Sequence, residues 1–220
     1  MAIKPILFNT EMVRAILDER KSCTRRLISS RQFLGMLPDK CKNAAPDEFL
    51  KGKRMMFKPY CDMTDAELIM TAYKAPYEPG DILYVRETWK KAPNGYFYYE
   101  DWQRNDIADV TKWKPSIHMP KEAARIWLKV TDVRVERLQD ITYNGALREG
   151  SEGIRCDHVA LGEHGCTDCM NTGWLEPPQV EFMQIWNSTI KKSDIDRYGW
   201  DANPYVWVIS FERCEKQEGV

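Results

Sequence analysis

The stretch IWLKVTDVRVERL, at positions 126–138, carries a strong strand pattern. Apolar and polar side chains alternate along it, as they do in a strand that is buried on one face. Ile126, Leu128 and Val130 share one parity, whereas Val133 and Val135 share the other. This change of phase near Thr131 predicts a β-bulge or a sharp bend, because a one-residue slip moves every side chain to the opposite face.

Shorter elements flank this strand on both sides. Strand-compatible apolar runs stand at positions 4–9, 82–87, 95–100 and 204–212. Helical spacing is found at 11–20 behind an N-cap at Thr10, at 142–150 ending at Gly150, and at 179–190. The elements follow one another without regular βα alternation. They therefore predict an α+β fold, a small mixed β-barrel with short helices packed on it. Residues 31–75 give no clear pattern.

The length predicts one globular domain or two small ones, and we assign positions 1–220 to a single domain. Hydrophobic residues make up 43% of the 220 residues and charged residues 30%, and the net charge is −1. No apolar run reaches the roughly 20 residues that span a bilayer. The first residues, MAIKPILFNTEMV, lack the pattern of a secretory signal. We therefore expect a cytoplasmic protein without a membrane partner, in which the seven cysteines are reduced thiols or metal ligands.

The segment DERKSCTRRL, at positions 18–27, combines a lysine, a threonine and three arginines. Lys21 and Thr24 can point the same way, so Lys21 could activate the Thr24 hydroxyl as a nucleophile. Arg20, Arg25 and Arg26 could contact phosphate, and the stretch from Glu11 to Arg54 has eleven basic against six acidic residues. The alternative is a basic helix end stabilised by the helix dipole.

Two carboxylates are candidates for proton transfer. Glu149 stands in the last turn of the helix predicted at 142–150, where it faces the negative end of the helix dipole. Glu87, at the end of the strand predicted at 82–87, is the second candidate. The alternative for Glu149 is an exposed glutamate on a surface turn.

The stretch from Cys156 to Cys169 contains five of the chain's ten Cys and His residues within 14 positions. Thiolates and imidazoles at this spacing are typical ligands of tetrahedral Zn²⁺. Three cysteines and one of the two histidines would close a structural site within an insertion at 151–175. The candidate ligands are Cys156, His158, His164, Cys166 and Cys169. The alternative is a loop with unpaired reduced thiols. The upstream H-x-E and P-C-x-x-C segments of a zinc deaminase are not found here.

Seven aromatic residues crowd 25 positions. Exposed ones could stack nucleobases, although aromatics in a small domain also serve as core. They are Trp89, Tyr96, Phe97, Tyr98, Tyr99, Trp102 and Trp113.

Several of these segments carry a family resemblance. ERKSCTRR (19–26) resembles the G-x-K-x-x-T-x-R segment of ASCH domains, small β-barrels related to PUA domains. PGDILYV (79–85), ITYNGALREG (141–150) and PYVWVISFE (204–212) resemble the elements that follow it in that family. KPSIHMP (114–120) is similar to the longer phage and prophage version. Glu19 stands where the family has glycine, so the resemblance does not fix the turn before Lys21.

The resemblance implies a cleft for nucleic acid, with RNA expected, or for a nucleoside, in a protein of the bacterial host's cytoplasm. Small ASCH enzymes hydrolyse the amide of N4-acylated cytidine with a lysine, a threonine and a glutamate, which fall on Lys21, Thr24 and Glu149. Other members of the ASCH family are proposed RNA binders, and some are ribonucleases. Three functions follow: a hydrolase, a non-catalytic reader of RNA or a modified base, and a phage accessory protein that docks a protein partner through the zinc loop.

Overall fold

A computed structural model describes residues 1–28, 64, 67, 69–70, 73–104, 112–156 and 174–216. Contacts divide the chain into two compact units. The first consists of Met1–Cys23, Tyr77–Val133 and Ile209–Val220, and the second of Thr24–Pro76 and Arg134–Val208. This division does not test the assignment of residues 1–220 to a single ASCH-like domain, which stays a prediction. Most of the 31–75 stretch lies outside the described residues.

The described elements are a mixture of strands and short helices. The strands are β1 (Ile3–Leu7), β2 (Cys23–Leu27), β3 (Ile82–Arg86), β4 (Trp89–Ala92), β5 (Gly95–Tyr98), β6 (Trp127–Arg137), β7 (Ile154–Arg155), β8 (Trp174–Glu176) and β9 (Tyr205–Cys214). The helices are α1 (Thr10–Leu17), α2 (Tyr99–Arg104), α3 (Tyr143–Arg148), α4 (Pro178–Thr189) and α5 (Ile195–Tyr198). None of these helices combines the length and apolarity needed to cross a bilayer.

Five strands form a mixed sheet in the order β1-β3-β6-β9-β2. β1 runs parallel to β3, and β3 runs antiparallel to β6. Two small antiparallel sheets pair β4 with β5 and β7 with β8. The predicted α+β class is therefore confirmed. The described residues contain no closed barrel, so the barrel itself stays a prediction.

The phase change predicted within β6 is present. Leu128 and Val130 are buried, and the next buried residue is Val133 rather than Asp132. Thr131 and Asp132 are consecutively exposed. The strand continues through this point. The buried residues Leu128 and Val130 have even numbers, whereas the buried residues Val133 and Val135 beyond it have odd numbers.

The core of the first unit gathers around β3 and the start of β6. Its buried members are Ile82, Tyr84, Trp89, Met119, Ala123, Ala124 and Trp127. Asp81 fixes the N-terminus beside β3, because its carboxylate accepts hydrogen bonds from the Ala2 amide at 2.8 Å and from Lys4 Nζ at 2.7 Å. β1 is thereby aligned with β3 in parallel register from Ile3 opposite Ile82.

The core of the second unit lies where α3 and α4 pack with β9. Its buried members are Leu138, Ile141, Ala146, Phe182, Trp186, Val206 and Val208. The helix predicted at 179–190 is α4, which buries Phe182 and Trp186 four residues apart on one face. Pro178 at its first position suits a helix start, where no amide partner is needed.

The first helix differs from the prediction at both ends. Asn9 rather than Thr10 is the N-cap of α1, and its side-chain oxygen accepts from the Met12 amide at 2.8 Å. The helix ends at Leu17 rather than at 20. Asn and Thr are both good capping residues, and the sequence places them side by side, so local pattern alone does not choose between them.

Candidate functional site

The turn before Lys21 is a Schellman motif. At the end of α1 the Glu19 amide donates to the Ile16 carbonyl at 3.1 Å, and the Arg20 amide to the Ala15 carbonyl at 2.9 Å. Glu19 has a φ of 61°, the left-handed conformation that glycine adopts most easily. The turn therefore has the shape expected of glycine at this position, although the residue is glutamate.

Lys21 follows this turn as a buried residue of the first unit. Its amide also donates to the Ala15 carbonyl, at 2.9 Å, and only 4% of the residue is exposed. Its Nζ lies 5.6 Å from the centre of the Phe8 ring, within range of a cation–π interaction. Lysine is almost never buried to this degree without a compensating interaction, so Lys21 is not a solvated surface lysine.

Thr24 lies on β2 and belongs to the second unit by contacts. It is 2% exposed. A threonine here is compatible with strand geometry, since β-branched side chains are favoured in strands. Lys21 and Thr24 are therefore both buried rather than solvated.

Glu149 caps the C-terminus of α3 in the second unit. The helix begins behind Thr142, whose Oγ1 accepts from the Gly145 amide at 3.0 Å, and a second Schellman motif ends it. There the Gly150 amide donates to Leu147 at 2.9 Å and the Ser151 amide to Ala146 at 3.2 Å, with Gly150 at a φ of 96°. The predicted start at Thr142 and stop at Gly150 are confirmed.

Glu149 and Arg25, both of which we singled out from the sequence, meet in a buried ion pair. Arg25 Nη1 donates to Glu149 Oε1 at 3.2 Å, and Nη2 donates to Glu136 Oε2 at 3.0 Å. The Arg25 side chain is 2% exposed and that of Glu149 is 5% exposed. Arg25, which we expected to contact phosphate, thus contacts two carboxylates, one of which belongs to Glu149.

Small and aromatic neighbours shape the space around Arg25. A Cβ atom at Gly145 would lie 3.4 Å from Arg25 Nη2 and 3.2 Å from Thr142 Oγ1. The Arg25 guanidinium carbon lies 5.7 Å from the centre of the Phe182 ring. Glycine in the first turn of α3 therefore leaves room for the guanidinium beside the helix.

The other two arginines of the segment are less buried. The Arg20 side chain is 33% exposed and lies 3.5 Å from an Asp18 carboxylate oxygen. Arg26 is half-buried on β2. Both side chains reach solvent, and their contact with phosphate stays a prediction.

Glu87 belongs to a separate ion cluster in the first unit. Arg125 donates to both carboxylate oxygens of Glu87 at 2.9 Å and to Asp101 at 2.7 Å. Burial raises the pKa of Glu87 above its ordinary value, although Arg125 opposes this rise. The Arg125 guanidinium stacks 4.1 Å from the centre of the Tyr98 ring. The sequence indicated Glu87 but gave no signal for Arg125, which lies 38 residues away along the chain.

The predicted metal site falls almost entirely outside the described residues. Cys156 is described: it is buried and directly follows β7. His158, His164, Cys166 and Cys169 lie outside the described part of the chain. Among the residues that are described, no group of three or more His, Cys, Asp or Glu side chains could hold a metal ion. Zinc therefore stays a prediction.

Comparison with known proteins adds no relative. No protein-family model matches the chain, and searches of the curated proteins and of the solved structures find no match either.

Proposed function

We propose that this protein acts on RNA or a nucleoside in the manner of an ASCH domain, with Lys21, Thr24 and Glu149 hydrolysing an acyl amide such as that of N4-acylated cytidine. The proposal takes the three roles from the sequence resemblance. It includes the expectation that the five-stranded sheet belongs to a small PUA-like barrel.

The conformation of Glu19 is the observation that carries this proposal. At the position where ASCH domains have glycine, this chain adopts the left-handed backbone with a glutamate. That conformation is unfavourable for a residue with a Cβ, so the surrounding turn must impose it. The backbone that leads into Lys21 therefore supports the resemblance even where the residue type departs from it.

The burial of the three side chains supports catalysis over a surface role. Lys21, Thr24 and Glu149 are all buried, and lysine and glutamate are almost never fully buried unless they are paired. Structural ion pairs also bury such groups, and the Arg25–Glu149 pair is one. For this reason Arg25 is assigned as a positioning residue for Glu149 and not as a contact to substrate.

The proposed reaction proceeds through an acyl ester on Thr24. Lys21 in its unprotonated amine form takes the hydroxyl proton, and Thr24 Oγ bonds to the acyl carbon as the carbon–nitrogen bond of the amide breaks. The proton reaches the leaving amine through Glu149. Water then hydrolyses the ester, which releases the carboxylic acid and restores the Thr24 hydroxyl.

Hydrolysis of a panel of N4-acylcytidines tests the proposal. We expect the wild type to release cytidine and both Lys21→Ala and Thr24→Val to lose at least about 100-fold in rate, since general bases typically contribute that much. Lys129→Ala is the matched control, because Lys129 is an exposed lysine of β6 paired only loosely with Glu212 at 3.7 Å. Circular dichroism must show that each variant is folded.

The outcomes separate the two leading functions. Product from the wild type and from Lys129→Ala, but not from Lys21→Ala, supports the hydrolase. If none of the proteins forms product while the wild type binds RNA in a salt-dependent way, the non-catalytic reader replaces it. Equal turnover by the wild type and Lys21→Ala contradicts the assignment of Lys21.

We also propose that the 151–175 insertion binds a structural Zn²⁺. β7 and β8 pair Arg155 opposite Trp174, which closes the base of the insertion, and Cys156 is buried next to it. Metal analysis of the purified protein should give one equivalent of zinc, and a Cys166→Ser/Cys169→Ser double variant should lose it. A zinc content near zero in the wild type contradicts this proposal.

A further inference from the structure

A small aromatic cavity lies on the β4–β5 hairpin of the first unit, next to α2. Its volume is about 160 Å³, and its lining residues are Lys90, Ala92, Asn94, Phe97, Trp102 and Trp113. Drug-sized ligands and cofactors occupy pockets of about 300–1,000 Å³. This cavity therefore suits a single planar ring system and not a whole cofactor.

The aromatic walls are held in fixed orientations relative to each other. The rings of Phe97 and Trp102 meet edge to face at 6.5 Å, and those of Trp102 and Trp113 at 5.8 Å. Tyr99 packs edge to face against Trp113 at 5.3 Å. All four rings are half-buried, so each retains surface that a ligand could cover. Such aromatic surfaces stack any nucleobase, because every base has a π-face.

The hairpin places a positive charge at the same cavity. Lys90 stands directly opposite Phe97 in the β4–β5 register, so both side chains lie on one face. Lys112 and Lys114 flank Trp113 and are exposed. The two acidic residues at the start of α2 are engaged elsewhere, since Glu100 pairs with Arg14 and Asp101 with Arg125.

We propose that this cavity binds one base of a single-stranded nucleic acid, with Lys90 contacting an adjoining phosphate. Aromatic stacking beside lysines is the usual arrangement for binding single strands. The lysines disfavour a cationic ligand such as a methylated lysine, which would otherwise suit an aromatic pocket. This site is independent of the proposed hydrolysis, and none of its residues takes part in that reaction.

Binding of short oligonucleotides, followed by tryptophan fluorescence, tests the site. The probes are an eight-nucleotide oligouridylate and the corresponding oligodeoxyuridylate, which share bases and phosphates but differ in the sugar. We expect saturable quenching, and a roughly 5- to 150-fold loss of affinity for Trp102→Ala, which is the range measured for one stacked base. Trp102→Phe keeps a ring and should retain most of the binding.

The adjacent lysine provides a matched control for charge. Lys91 is the next residue on β4 and lies 5.8 Å from the centre of the Tyr96 ring, on the opposite face from Lys90. Lys90→Gln and Lys91→Gln each remove one positive charge. We expect Lys90→Gln to weaken binding and to flatten its salt dependence, and Lys91→Gln to affect it much less.

Three results would overturn the proposal. They are no binding of either oligonucleotide, binding that Trp102→Ala leaves unchanged, and equal losses for Lys90→Gln and Lys91→Gln. Failure of the acylcytidine assay leaves this site unaffected.

Discussion

Replacing Arg25 by methionine should destabilise the protein far more than the same replacement at Arg26. Arg25 is the shared partner of Glu149 and Glu136, at 3.2 Å and 3.0 Å. The Glu136 side chain is 24% exposed and can be hydrated when the guanidinium is removed. The Glu149 side chain is 5% exposed, so its charge would be left buried without this partner. Most of the loss therefore comes from Glu149.

The magnitude follows from the burial of that pair. Removing one partner of a buried ion pair costs about 3–5 kcal/mol. A domain of this size changes its melting temperature by about 2–4 °C per kcal/mol, so Arg25→Met should lower it by about 6–20 °C. Arg26 is half-buried on the same strand, and Arg26→Met should cost less than about 1 kcal/mol.

Thermal and urea denaturation, followed by circular dichroism, measure these differences. A double variant, Arg25→Met with Glu149→Gln, removes both charges, and its cost should be below the sum of the single changes by about 0.5–3 kcal/mol. Strict additivity, or equal stability of Arg25→Met and Arg26→Met, would refute the buried pair. An Arg25→Met protein of normal stability with weakened RNA binding would return Arg25 to the phosphate-contacting role.

Two further changes test the backbone and charge arguments. Glu19→Gly should stabilise the protein by about 0.5–1 kcal/mol, because the cost of the left-handed conformation outweighs the added entropy of glycine in the unfolded chain. Glu19→Ala keeps the Cβ and should not change the stability. The urea midpoints of the two variants measure this difference. Burial by itself raises the pKa of Asp81, but hydrogen bonds from Lys4 and from the Ala2 and Glu78 amides outweigh it and hold that pKa below 3.8. The stability that Asp81 contributes is therefore present above pH 3.8 and is lost as the pH falls through the lower pKa of the folded state. Asp81→Asn should cost about 1–3 kcal/mol at neutral pH and much less in strong acid. Unfolding curves across that pH range measure this difference.

Features set by neighbouring residues could be predicted from the sequence. The phase change in β6 follows from parity alone, and the end of α3 follows from Gly150, which supplies the left-handed residue at no steric cost. The end of α1 was predicted three residues late because its left-handed residue is Glu19. No propensity scale places a glutamate there.

Partnerships between distant residues could not be predicted. Arg25 lies 111 and 124 residues from its two carboxylates, and nothing in its local sequence distinguishes it from Arg26. Both were assigned to phosphate on charge alone. Charge does not report burial, and the burial of Arg25 depends on how α3 and α4 pack against β2.

The two Schellman motifs bear on how a substitution at Lys21 should be interpreted. Each motif closes a helix with bonds between main-chain atoms only, from residues 19 and 20 at the end of α1 and from residues 150 and 151 at the end of α3. Lys21 contributes its amide to the first turn, and alanine supplies the same amide. Lys21→Ala should therefore keep the turn while it removes the amino group, the buried methylenes that carry it and the contact with Phe8. A loss of hydrolysis in a folded Lys21→Ala protein would report the chemistry of the side chain and not a collapse of the backbone that positions it.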